Sequence, residues 1–145
     1  MPAEWIKELT DAPETHSLAT NVIPFWALPL AQRPAFMRVV IPYKNKNWST
    51  LKAISKQWVQ DEPTSADAFY YLGVAEEGNG NFTEAKRHLS KAVVLNARDL
   101  DAMVALTRVA YAQKDIKALE SLEAPIRLLD SDAADVVVIH IKALY

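Results

Sequence analysis

Cysteine is missing altogether from the 145-residue chain, and glycine nearly so, at three residues. Without cysteine there is no disulfide, thiolate zinc site or thiol nucleophile, and no thiol content to report the compartment. Three glycines are too few for the many turns of a β-sandwich or barrel. No apolar run reaches bilayer-crossing length. Ahead of Val22 the chain carries acids where a secretion signal has a basic start and an apolar middle. A cytoplasmic location is therefore expected, with a periplasmic one as the alternative. Neither sign of charge dominates: 16 Lys and Arg against 18 Asp and Glu leave −2, which makes no case for a uniformly basic nucleic-acid binder. What is present is a chain 50% apolar, enough for one domain with a sizeable core and too much for a disordered chain.

The total charge hides a split. No acid lies between Glu14 and Asp61, where Arg33, Arg38, Lys44, Lys46, Lys52 and Lys56 give +6 and leave −8 for the rest. Phe25, Trp26, Phe36, Tyr43, Trp48 and Trp58 lie in the same stretch. Prolines crowd toward the front as well, with only Pro63 and Pro125 beyond Pro42. Pro24, Pro29, Pro34 and Pro42 divide the segment 22–43 into short pieces. Proline removes a backbone donor, so at most a two-turn helix is expected between Pro34 and Pro42. Residues 1–43 thus read as a short amphipathic helix followed by a proline-broken basic and apolar arm. Trp26, Arg33, Arg38, Lys44 and Lys46 are its candidate contact residues.

Downstream the pattern is helical. Ala68, Leu72 and Ala75, then Phe82, Ala85, Leu89, Ala92 and Leu95, recur at three- and four-residue steps. Gly78-Asn79-Gly80-Asn81 separates the two runs, with glycine to end one helix and Asn81 to cap the next. Asp67, Asp101 and Asp135 are evenly spaced along the chain. The same step superposes Trp48, Phe82 and Ile116, then Leu51, Ala85 and Leu119, then Trp58, Ala92 and Ile126. Apolar and polar classes stay in their own rows. A repeated helical hairpin explains that separation.

Residues 66–97 resemble a tetratricopeptide repeat, a 34-residue helical hairpin whose period equals that step. Phe69 takes the family's Trp place, Leu72-Gly73 its Leu-Gly, Ala85 its first-turn Ala and Leu89 its Phe, while Glu76 departs from the Tyr and Ala97 from the closing Pro. Around residues 66–99 the same register marks a partial hairpin at 44–65, a degenerate repeat at 100–133 and a terminal helix at 134–145. Residues 136–141 (VVVIHI) would be strand by propensity alone, but the register and the caps at Asp130, Ser131 or Asp132 predict helix. The expected architecture is all-α: a right-handed superhelix of antiparallel hairpins preceded by the arm.

The resemblance implies a concave binding face built from the second, fifth, ninth and twelfth residues of each first helix. Those are Asp67, Tyr70, Val74 and Glu77, then Asp101, Val104, Arg108 and Tyr111, with Lys142 continuing the Arg108 row. Tyr70 and Val74 stand where carboxylate-clamping relatives have Lys and Asn, which speaks against chaperone-tail binding. Catalytic signatures are lacking. His16, His88 and His140 form no metalloprotease motif. Glu84 and His88, one turn apart, fall short of the three or four ligands a metal needs, so no metal or cofactor is expected. Gly78-Asn79-Gly80 follows no strand and reads as a turn, not a phosphate loop.

The expected function is non-enzymatic: a scaffold that binds a protein or peptide. A second reading is homo-oligomer formation, the basic front of one copy meeting the acidic remainder of another. The third is attachment to a membrane surface or nucleic acid through residues 22–58. Against nucleic acid, residues 66–133 hold 11 acids and 8 bases.

Overall fold

The computed structural model describes residues 34–145, together with residue 27. The chain divides at Pro34, and the unit Ala35–Tyr145 contains everything below. The arm contacts expected at Trp26 and Arg33, and the helix expected near Trp5, lie outside the described residues. Among the described residues there are seven helices and no strand: α1 Ala35–Lys44, α2 Trp48–Asp61, α3 Ala66–Gly78, α4 Phe82–Leu95, α5 Leu100–Ala112, α6 Ile116–Leu129 and α7 Ser131–Leu144.

Each helix packs on the next, and the first helices of successive hairpins touch one another, α1 on α3, α3 on α5 and α5 on α7. One turn geometry is used three times. Asn47 N–H donates to the Pro42 carbonyl (2.9 Å), Asn81 N–H to Glu76 (2.8 Å) and Asp115 N–H to Ala110 (2.8 Å). The residue before each of these donors is left-handed: Lys46 at φ 55°, Gly80 at 80° and Lys114 at 56°. Such a residue lets a helix's last carbonyls be satisfied as the chain reverses. Only one of the three is glycine, yet all hold the same place in the repeat, so the backbone recurs where the residue type does not.

The buried rows repeat as well. Leu51, Ala85 and Leu119 are each fully buried, as are Ala92 and Ile126, with Trp58 almost so. A buried Leu side chain stabilises the fold by roughly 2 kcal/mol. Gly73 is small because α4 lies against it: a Cβ there would come 2.6 Å from Leu89 Cγ. The core has two clusters. Val39, Leu51, Trp58, Leu89 and Val109 belong to the first, and Met103, Leu119, Ile126, Ala134 and Val137 to the second. Val93 and Leu122 pack against both.

Three local expectations are corrected. α1 passes through Pro42 to Lys44, completing the first hairpin. Pro42 lies near the end of the helix, where the missing N–H costs one bond and the chain soon leaves the helix anyway. Asn81 stands at the predicted cap, but its side chain makes no cap bond; its backbone carbonyl accepts from Ala85 N–H at 2.9 Å. Finally α7 begins at Ser131 rather than at residue 134; Asp130, one of the expected caps, both ends α6 and caps α7 by accepting from Asp132 N–H and Ala133 N–H. That early start turns Ala134 and Val137 inward, while Val136 and Ile139 remain exposed. The repeat register therefore ends at α6. Residues 136–141 are helical, tertiary packing having overridden β propensity.

Candidate functional site

The first helices α1, α3 and α5 touch one another in a row. A cavity of about 450 Å³ opens there, lined by Tyr43, Lys44, Lys46, Trp48, Val74, Glu77, Gly78 and Arg108. Of the predicted groove residues it brings together Val74, Glu77 and Arg108, and from the basic arm Lys44 and Lys46. Arg38, Asp67, Tyr70, Asp101, Val104 and Tyr111 are not part of its lining.

Each lining residue is placed by a local cause. Val74 is buried on the inner face of α3. Lys46 is exposed at the left-handed turn position after α1. Trp48, the first residue of α2, lies against Gly78, where even a methyl group would collide with the indole. Arg108 grips Glu77 with two bonds, Nε to Oε2 at 2.8 Å and Nη2 to Oε1 at 3.0 Å. These bonds raise the guanidinium's pKa further, with burial opposing them. Glu77 is thereby neutralised, and the cavity is left net basic by Lys44 and Lys46.

Tyr70 is half-buried beside this cavity and meets Tyr71 edge-on at 5.2 Å, while Tyr71 meets Tyr43 edge-on at 5.6 Å and stacks on Trp58. Burial, then the neighbouring Tyr43, push the Tyr70 phenol far above the ordinary tyrosine range. Tyr71 is raised by burial and next by Asp67. Tyr111 is turned toward the other end, its ring 4.7 Å from His140 on α7. Asp67 and Asp101 are exposed without an ion-pair partner among the described residues.

Tyr43, Trp48 and Gly78 line the cavity without having been expected in it. Tyr43, Glu77 and Tyr111 occupy one row of the repeat, so the row predicts Tyr43 once α1 is accepted as a helix. Pro42 masks that signal. No protein-family model matches the chain, and no curated protein matches it in sequence.

Among the described residues no helix is long and apolar enough to cross a membrane.

Proposed function

We propose that this chain is a non-enzymatic interaction module that holds a peptide or protein segment along the α1–α3–α5 row. The observation that carries the reading is the basic, aromatic-walled cavity at Tyr43, Trp48, Val74 and Arg108. Aromatic and Arg side chains around a concave floor are favoured anchors, since they bury large area at little entropic cost. Lys44 and Lys46 add attraction for acidic side chains, which favours an acidic or mixed partner. In this reading the hairpins belong to a tetratricopeptide-like solenoid, for which the threefold recurrence of the same turn is the support.

The test is a peptide-display selection on the full chain, repeated on a Lys44→Glu/Arg108→Glu variant of unchanged helicity. Peptides kept by the parent and lost by the variant support the groove. Equal enrichment on both removes it.

A second reading, self-association, is favoured by one observation: Val136 and Ile139 leave an apolar strip exposed on α7. Light scattering at low and high salt decides it. A monomer under both conditions ends that reading, and an oligomer indifferent to salt assigns the joint to apolar contact.

A further inference from the structure

Glu76 stands where the resemblance calls for tyrosine, and the fold buries it, at 2% exposure. Its Oε1 lies 2.6 Å from Nδ1 of His88 on α4. Yet neither atom has a hydrogen bond of acceptable geometry. A buried carboxylate oxygen facing a ring nitrogen without an aligned proton is costly, and a shared cation removes that cost. Glu84 supplies a third donor. It precedes His88 by one helical turn, so both point from one face of α4, and the ligand atoms of Glu76, Glu84 and His88 lie within 4.8 Å of one another. Arg87 takes both of its bonds to Glu84 at Oε2, which leaves Oε1 outside that pair. Phe69 stacks on the His88 ring at 6.1 Å and holds its orientation.

We propose that Glu76, Glu84 and His88 form a mononuclear divalent-metal site of the zinc type, with its fourth position open to solvent. One imidazole and two carboxylates suit a borderline cation such as Zn²⁺, and three protein ligands leave a fourth position for water or another ligand, as in zinc centres that are not purely structural. At zinc distances two ligand atoms on one ion are roughly 3.4 Å apart, so Glu76 and His88 separate by about 0.8 Å on binding. The open position faces a cavity of about 320 Å³ between α2, α3 and α4, lined also by Lys52, Lys56 and Arg87. These cations oppose a metal ion, and the two ligand carboxylates offset its charge. The cations weaken binding relative to a neutral site, and they favour an anionic group as the fourth ligand.

The site is independent of the α1–α3–α5 cavity, so either can fail alone. The experiment is calorimetric titration of the full chain, stripped with a chelator, with zinc chloride at neutral pH. Cobalt(II) absorption in the visible serves as a second readout of coordination. One equivalent with a micromolar Kd is expected, lost in Glu76→Gln and weakened roughly ten-fold or more in Glu84→Gln. Glu84 is an exposed residue whose replacement leaves the core untouched, so that variant tests the site even if Glu76→Gln does not fold. A His16→Gln/His140→Gln variant should bind as the parent does. Absence of binding up to about 1 mM zinc overturns the proposal and leaves Glu76 and His88 as a close structural contact between α3 and α4. Binding that survives Glu84→Gln at full strength, or that vanishes with His16 and His140, overturns it equally.

Discussion

Arg108 and Glu77 lie 31 residues apart, and their paired bonds at 2.8 and 3.0 Å tie α5 to α3. The pair is partly exposed, which limits its contribution to about 1 kcal/mol even with two-pronged geometry. A double-mutant cycle with Arg108→Ala and Glu77→Gln should return a coupling energy of that size in urea melts. A coupling near zero would mean that water holds the two side chains as well as they hold each other.

Left-handed backbone separates the three turns by residue. Lys114 holds at some cost a positive φ that a glycine adopts freely, so Lys114→Gly should stabilise the fold by up to about 1 kcal/mol. Gly80→Ala should cost about the same, although nothing crowds the site. Thermal melts of the two variants should move in opposite directions. Movement in the same direction refutes the turn assignment.

Gly78 resists substitution for a different reason, because Trp48 occupies the space a side chain needs. Gly78→Ala should cost roughly 1–3 kcal/mol by overpacking and shift the tryptophan fluorescence as the indole moves. An unaltered spectrum with unaltered stability would show that the indole does not rest there.

Caps give a paired comparison. Asp115 accepts from Ala118 N–H at 3.1 Å, whereas the Asn81 side chain makes no such bond. Asp115→Ala should therefore lose about 1 kcal/mol, and Asn81→Ala only a few tenths. Equal losses in chemical denaturation would show that Asn81 caps α4 in solution.

Alkaline pH should unfold the protein through Tyr70 and Tyr71. Both phenols are raised chiefly by burial, so the folded state holds their protons more tightly than the unfolded chain does. Stability from this source is complete below the ordinary tyrosine pKa of about 10 and falls as pH rises beyond it. Urea midpoints measured across that range should fall less steeply for Tyr70→Phe. Parallel slopes for variant and parent would exclude Tyr70 as the source.

Helices and repeat are legible in the sequence because the rows keep their apolar character even where side-chain size changes: Leu51, Ala85 and Leu119 align by spacing alone, and all three are buried. α1 is not legible, because Pro42 argues locally against a helix that packing on α2 and α3 sustains. Three of the eight residues lining the basic cavity lie on α1 and the turn after it, so the same proline hides Tyr43. Glu76 is visible as a departure from the family pattern, but sequence spacing cannot place it beside His88. Only the antiparallel crossing of α3 and α4 brings those two together.

Val93 and Leu122 pack against both core clusters, and α5 gives buried residues to each, Val109 to the first and Ala110 to the second. A chain built this way need not lose its structure all at once. The second cluster, which ends at α7, is expected to open before the hairpin of α3 and α4 does. Amide hydrogens of α6 and α7 would then exchange with solvent sooner than those around Leu89, giving the domain a graded yield to force or heat instead of a single breaking point.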